Sequence, residues 1–325
     1  MADTISLIPV YQFVIIALLI AGIMRILKWR GIFNDRDQPV FDKIVTELAV
    51  PAIIFSIFAT YDFSPDTLFP AGILFVTLIV ALVLAYIVCR LCRFPPKVTG
   101  TIVMISGFGS TATMASPLLM DLFSGQVSVI DKGLTIGTVG VAFPFFTIGV
   151  LIASYFGAKE TGREVRISDT LKEFLATPIF ISFGVGVLAA VLLVRFHLPV
   201  AEGFTDVFTH FFTIISLSLN LLIWIAIGLM LRPIRLAYFF PLFLLVIVIK
   251  LLFEPVFATY FAISAGASVL NQQMLLLESS VPSGAVAAVL ASRYGCESSL
   301  AGWMVVGTYL VSLITIPLLF FLVAG

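Results

Sequence analysis

Three charged residues, Lys250, Glu254 and Glu278, lie inside long apolar segments of the sequence. An ionisable side chain surrounded by hydrocarbon is costly and usually serves a function, so each is a candidate binding residue. Glu278 lies about 10 Å from the start of its apolar segment, beside a stretch rich in serine and proline. We expect it to carry a proton or bind a cation. The alternative is a structural acid that backbone N–H groups stabilise.

Lys250 and Glu254 are four residues apart and can pair on one helix face. Counted from residue 236, where their segment begins, they lie about 21 Å and about 27 Å along the helix. Two interpretations stay open: the pair anchors the segment at the membrane interface, or it provides a counter-charge for a substrate. Asn220, near the middle of another segment, either lines a cavity or forms an interhelical hydrogen bond.

Two segments combine glycine, proline and hydroxyl residues where an uninterrupted helix would be expected. They read "GFGSTATMASPLLMDLFSG" (107–125) and "NQQMLLLESSVPSGAVAAVLASRYG" (271–295). The predicted helix breaks are Gly109, Pro117, Pro282 and Gly284. The hydroxyls predicted to cap the breaks or bind a ligand are Ser110, Thr111, Thr113, Ser116, Ser279, Ser280 and Ser283. Half-helix N-termini at such breaks favour a small anion such as a carboxylate. The alternative is a simple kink in each helix.

The composition indicates which elements must position these residues. Of 325 residues 61% are hydrophobic and only 11% are charged, and the mean hydropathy is +1.17. These values predict an all-α protein that crosses a lipid bilayer many times. Ten spans are predicted, at 7–27, 43–63, 68–93, 98–123, 132–156, 173–196, 207–231, 236–261, 271–293 and 300–323. The net charge is zero, and no basic tract suggests a nucleic-acid partner.

The distribution of lysine and arginine predicts the orientation. With ten spans, fifteen of the 18 basic residues fall on one side, Lys132 and Arg195 fall on the other, and Lys250 lies within a span. Basic residues collect on the cytoplasmic side of membrane proteins. The sequence therefore predicts a multi-pass protein of the cell inner membrane with both termini in the periplasm.

The two halves of the chain resemble each other at an offset of about 170 residues, which aligns 98–123 with 268–293. Each half contains five predicted spans, an odd number, so the halves must enter the membrane in opposite directions. This predicts an inverted repeat of 1–156 and 173–325, joined by a cytoplasmic loop at 157–172. Broken spans at matching positions of such repeats are typical of secondary transporters.

Several ordered motifs resemble those of the auxin efflux carrier family, which includes bacterial malonate-transporter-like permeases. They are "AVPAIIFSIFA" (49–59), "GSTATMASPLLMDLFSG" (109–125), "TPIFISFGVGVLAAVLLVRFHLP" (177–199), "IKLLFEPV" (249–256) and "VPSGAVAAVLASRYG" (281–295). Ser110 and Val286 stand where many members have asparagine. The resemblance implies a scaffold domain and a transport domain carrying two crossed helices, in a fold related to that of the bile acid:sodium symporters.

These observations predict a secondary carrier of a small organic anion that works by alternating access, coupled to a proton on Glu278, to sodium or to the anion gradient itself. The alternatives are a membrane receptor that reuses the fold and a sodium-coupled symporter of the bile-acid type. No catalytic motif, metal-ligand cluster or cofactor signature occurs in the sequence, so no enzyme activity, metal or cofactor is predicted. The sequence leaves a homodimer open.

Overall fold

The computed structural model describes residues 8–59, 65–123, 126–160, 167–191 and 202–324. Within these ranges the secondary structure is helical, apart from one isolated antiparallel bridge between Gly109 and Ser283.

The first part of the chain forms α1 (Ile8–Trp29), α2 (Gln38–Ile44), α3 (Val50–Ala59), α4 (Pro65–Leu91), α5 (Pro96–Gly107), α6 (Ser116–Leu122), α7 (Val127–Gly137) and α8 (Val150–Glu160). Turns of π-helix at Val45–Ala49, Thr111–Ala115, Thr138–Ala142 and Phe145–Gly149 connect or extend them. Such turns often occur at functional sites.

The second part forms α9 (Ile167–Leu175), α10 (Pro178–Ala190), α11 (Glu202–Met230), α12 (Leu236–Ile247), α13 (Glu254–Ser264), α14 (Val269–Ser280), α15 (Ala285–Arg293) and α16 (Ser298–Ala324). A π-helical turn at Val248–Phe253 joins α12 to α13. Pro255 comes just after this turn, and the helix continues through it to Ser264, since a wider turn accommodates the proline ring.

Among the described residues, six helical segments are long and apolar enough to cross a bilayer: Val10–Trp29, Asp66–Leu91, Val127–Glu160, His210–Met230, Leu236–Ser264 and Ser298–Phe321. A seventh would be Ser168–Leu175 with Pro178–Ala189, a pair bent by 59°. The structure therefore shows a multi-pass helical membrane protein, and the number of ten spans stays a prediction. Two of the remaining predicted spans are interrupted at glycine and proline, and the span predicted at 43–63 reaches residues outside the described ranges.

The outer helix faces are as apolar as the interior, which is what a lipid-facing surface requires. On α1, Ile15, Leu19 and Ile23 are more than half exposed and lie on one face, while Val14 and Ala21 on the opposite face are buried. The most extensive helix–helix contacts are those of α3 with α10, α1 with α11, α13 with α14 and α4 with α5, and α11 also packs on α15 and α16.

Candidate functional site

The two interrupted helices meet at their interruptions. The chain is extended at Phe108 and again from Val281 to Gly284. The Ser110 N–H donates to the Pro282 carbonyl oxygen at 2.9 Å, and the Gly284 N–H donates to the Phe108 carbonyl oxygen at 2.7 Å. Each break therefore satisfies backbone groups that the other break leaves without a helical partner.

The close approach of the two breaks requires glycine at position 284. A Cβ atom there would lie 3.2 Å from the carbonyl oxygens of both Phe108 and Gly109. These are backbone atoms held in the paired segment, so they have little freedom to move away. Gly284 and Pro282 lie within the extended segment, as predicted for helix breaks, and Gly109 forms the bridge to Ser283.

Pro117 does not break its helix, contrary to the prediction. The chain is helical from Thr111 to Leu122, and the interruption lies earlier, at Phe108–Ser110. Pro117 lies in the first turn of α6, directly after the π-helical turn Thr111–Ala115. Because a wider helical turn precedes it, the proline ring is accommodated without ending the helix.

The hydroxyls of the first break form a buried hydrogen-bonded group. Ser110 is buried, and its hydroxyl bonds both to the Thr113 hydroxyl and to the Tyr309 hydroxyl, the latter at 2.6 Å. Thr111 is also buried, and Ser116 is partly buried at the start of α6. Tyr309, on α16, also meets the Trp224 ring edge-on at a centroid distance of 4.9 Å. Tyr309 is not among the residues predicted for the site, although a tyrosine in the middle of an apolar span indicates a buried hydroxyl that needs a partner.

The predicted hydroxyls of the second break differ in what they can offer a ligand. Ser279 donates to the Leu275 carbonyl oxygen at 2.6 Å, and Ser280 donates to that of Leu277 at 3.1 Å, so both are satisfied by their own helix. The Ser283 hydroxyl is fully buried and has no hydrogen-bond partner among the described residues. Of these three serines, Ser283 has the hydroxyl that is available for a ligand or water.

Lys250 and Glu254 form a buried ion pair beside the first break. Their side chains are only 2% and 4% exposed. The Lys250 ammonium lies 2.8 Å from the position of a Cβ atom at Gly109, so it contacts the backbone of the break. This placement is incompatible with the interface-anchor alternative, in which both side chains would reach toward water. One oxygen of the Glu254 carboxylate has no hydrogen-bond partner among the described residues.

Glu278 is buried in the last turn of α14, three residues before Val281, where the second break begins. Its Oε2 atom is buried and has no partner in the described part of the chain. Its carboxyl group lies against Gly137 of α7, where a Cβ atom would be 2.6 Å from Oε2. The Lys250 charge also acts on Glu278, although Lys250 pairs directly with Glu254.

The charges at this centre do not balance when every group is ionised, because two carboxylates face one ammonium. A buried charge without a partner is costly, and buried acids in apolar surroundings are stabilised by a proton, a cation or strong hydrogen bonds. One added positive charge would therefore balance the centre, and Glu278 and Glu254 each have one oxygen without a partner among the described residues.

Asn220 is on α11 and partly exposed, and its side chain makes no hydrogen bond within the described residues. Trp224, one turn further along α11, contacts Tyr309, which bonds to Ser110 of the first break.

A second set of charges lies at the end of the molecule predicted to face the cytoplasm. Asp35 accepts a hydrogen bond from Lys28, which lowers the pKa of the Asp35 carboxyl, and Arg232 adds to this effect. Lys97 pairs with Glu297, and this hydrogen bond raises the pKa of the Lys97 ammonium. These pairs connect the α1–α2 loop to the segment after α11, and the start of α5 to the start of α16.

Comparison with known families agrees with this architecture. A family model described as "Membrane transport protein", the domain of the auxin efflux carriers, matches residues 4–320. A protein of many apolar helices with this match is a membrane transport protein, and the chain belongs to the auxin efflux carrier family. No curated protein gives a significant match.

Proposed function

We propose that the protein is a secondary transporter of a small organic anion, and that the substrate binds where the two breaks meet. The observation that carries this proposal is the pair of hydrogen bonds between Phe108–Ser110 and Pro282–Gly284, which joins two interrupted helices in the buried centre. Broken helices that meet inside a transporter mark its substrate site, and we place this centre near the membrane midplane.

Three features of the centre support an anionic substrate. Helical segments begin at Thr111 and at Ala285, directly after the breaks, and the first N–H groups of a helix are free to bind an anion. The Lys250 ammonium contacts the Gly109 backbone between them. The free Ser283 hydroxyl can donate a hydrogen bond. A carboxylate is the smallest common metabolite group that uses all three.

The proposed mechanism is alternating access between two groups of helices. The scaffold comprises α1 to α3, α10 and α11, and the transport domain comprises the two broken helices with α4, α7, α8, α12, α13 and α16. Each is built from both halves of a five-plus-five inverted repeat with both termini in the periplasm. The packing of α1 on α11 and of α3 on α10 supports the scaffold group.

The proposed coupling residue is Glu278. An ionised Glu278 would repel an anion at the adjacent break, whereas a proton or a bound cation would remove the repulsion. Because the buried centre has one carboxylate more than it has ammonium groups, uptake of one positive charge neutralises it, and the anion then binds to a neutral centre instead of a negatively charged one. Loss of that charge on the other side would favour release of the anion.

The test is flux into liposomes that contain the purified protein. Labelled acetate, malonate and succinate would be presented with a proton gradient, with a sodium gradient and with neither. We expect saturable uptake of at least one carboxylate that depends on the proton gradient. Dependence on sodium alone would instead favour the sodium-coupled alternative. No flux of any carboxylate under any gradient would contradict the proposal.

Two glycine variants test whether uptake depends on the paired breaks. Gly284→Ala should reduce uptake at least tenfold, because its methyl group would press on the Phe108 and Gly109 carbonyl oxygens. Gly22→Ala, on α1, is the matched control, since no atom lies within 4 Å of its Cβ position. Equal uptake by the two variants would show that the paired breaks are not the substrate site.

A further inference from the structure

A cavity of about 320 Å³ lies away from the paired breaks, at the end predicted to face the cytoplasm. It lies between the start of α2, the segment after α11, the end of α15 and the start of α16. Its lining residues are Gln38, Pro39, Asp42, Lys43, Arg232, Ser292, Arg293, Gly295 and Ser298. Charged and hydroxyl side chains predominate, so the cavity suits a polar ligand.

A fixed carboxylate lies in the wall of this cavity. Asp42 is only 2% exposed, and its Oδ2 atom accepts hydrogen bonds from Ser292 at 2.6 Å and from Gln38 at 3.2 Å. Its Oδ1 atom is buried and has no hydrogen-bond partner among the described residues. A buried acceptor without a donor is unfavourable, so Asp42 is suited to a ligand that brings an N–H or O–H group.

Three cations surround the same cavity. Arg232 bonds to Gln38 through one terminal nitrogen at 3.3 Å and pairs with Asp35 through Nε, and Arg293 uses one nitrogen to pair with Glu47. A guanidinium has five N–H donors in a fork that matches a carboxylate, so both retain N–H groups for a ligand. Lys43 is exposed and has no ion pair within the described residues. The lining therefore holds three positive groups and one negative group.

We propose that this cavity is a second carboxylate site, specific for a small carboxylate that also carries a hydroxyl or ammonium group. The ligand carboxylate lies between the guanidinium groups of Arg232 and Arg293. The hydroxyl or ammonium group donates to Asp42 Oδ1. A carboxylate without a hydroxyl or ammonium group binds only the two guanidinium groups and leaves Asp42 Oδ1 without a donor.

The cavity lies between the predicted cytoplasmic side and the paired breaks, and we assign it as an intermediate binding site on the path of the substrate. Helix α15 begins directly after the second break and ends at Arg293 in the cavity wall. Eight residues of α-helix span about 12 Å, which is the distance along α15 between the two places. The assignment as an intermediate binding site in transport rests on the proposed transport function, whereas the binding specificity of the cavity does not.

The test uses the full-length protein in lipid nanodiscs, which expose both faces, and three two-carbon acids that differ only in the substituent on the second carbon. Acetate has a carboxylate alone, glycolate adds a hydroxyl and glycine adds an ammonium. By isothermal titration we expect glycolate or glycine to bind about tenfold more tightly than acetate, since a buried charged acceptor gains its missing donor. The comparison of glycolate with glycine identifies the donor. Equal binding of all three acids, or binding of none of them, would overturn the proposal.

Two variants locate the binding. Asp42→Ala should bring glycolate and glycine within about twofold of acetate, because it removes the acceptor that distinguishes them. Lys43→Gln changes an exposed residue and does not threaten folding. It should weaken all three acids by a similar factor of about three, as the loss of one nearby exposed charge would. Unchanged discrimination in a folded Asp42→Ala protein would overturn the proposal, as would wild-type affinities in Lys43→Gln.

The liposome experiment separates this inference from the proposed function. Selective binding that depends on Asp42 without flux of any carboxylate would support the cavity and contradict the transport proposal. Flux that Gly284→Ala abolishes, combined with equal binding of the three acids, would support transport and overturn the second site.

Discussion

The carboxyl group of Glu278 on α14 lies against Gly137 on α7, so that a Cβ atom at Gly137 would be 2.6 Å from Oε2 and 2.8 Å from Oε1. The acid therefore occupies space that the glycine leaves free. Because α7 is remote in sequence from α14, this contact fixes the position of the acid by tertiary packing. A substitution at Gly137 can therefore displace the Glu278 side chain while the glutamate itself is kept.

Gly137→Ala should displace the Glu278 carboxyl group. We expect a loss of about 1–3 kcal/mol in stability from overpacking, against a gain of up to about 1 kcal/mol from helix propensity. The net loss should appear as a lower thermal midpoint in detergent, together with an altered pH profile of uptake. Gly72→Ala on α4, with no atom within 4 Å of its Cβ position, is the control and should lose nothing. The contact is unimportant if both variants behave alike.

Glu278→Gln should remove the dependence of uptake on pH while leaving the protein folded. Glutamine keeps the shape of the acid and resembles its neutral, protonated form. Substrate binding should survive or weaken by only a small factor. Wild type and variant would be compared for uptake into liposomes at several imposed pH gradients. An identical pH dependence in the variant would make Glu278 a structural acid.

Lys250→Met should be strongly destabilising because it leaves Glu254 buried without its partner. Breaking a buried ion pair costs about 3–5 kcal/mol, whereas replacing both members is much less harmful. The double variant Lys250→Met/Glu254→Gln should therefore be more stable than Lys250→Met alone, as measured by thermal unfolding. Lys43→Met, at an exposed position, should change stability by no more than about 0.5 kcal/mol. Additive losses in the double variant would mean that the pair does not act as a unit.

The hydrogen bond between Ser110 and Tyr309 should appear in a double-mutant cycle. Tyr309→Phe and Ser110→Ala should each cost about 0.5–1.5 kcal/mol, and the double variant should lose less than the sum by about 0.5 kcal/mol or more. Tyr86→Phe, on the exposed face of α4, serves as the control. A coupling energy near zero would indicate that the two hydroxyls bond to other groups.

Cysteine labelling tests the predicted orientation. The natural cysteines Cys89, Cys92 and Cys296 would first be replaced, since the exposed Cys92 would react. A membrane-impermeant reagent added from outside should label a cysteine tag before residue 1 and another after residue 325. It should not label a cysteine placed in the loop at 157–172. The reverse pattern would show that the basic residues face the periplasm.

The two interruptions could be predicted from the sequence because their causes are local. Gly109, Pro282 and Gly284 weaken a helix wherever it lies, and the surrounding hydroxyls reinforce the signal. Pro117 carries the same local signal, yet its helix continues. The difference depends on the π-helical turn before it, which the sequence alone does not reveal.

The partners of the polar groups were less predictable because docking of distant helices determines them. Ser279 and Ser280 bond to their own helix, whereas Ser283, three residues further on, has no partner among the described residues. The position of Lys250 along its span is compatible both with the membrane interface and with the protein interior. Only the packing of that span against the first break places its ammonium group beside Gly109. The role of Tyr309 depends on the packing of α16 against the first break, which brings its hydroxyl to Ser110.

The hydrogen bonds between the breaks also constrain how the protein is made. The Phe108 carbonyl and the Ser110 N–H find their partners in residues synthesised roughly 170 positions later. At about 5–20 residues per second, the ribosome needs roughly ten to thirty seconds to reach Pro282 and Gly284. Until then the first break carries unpaired backbone groups that lipid does not tolerate. The first half of the chain must therefore wait in the insertion machinery, or in water, for the second half to complete it.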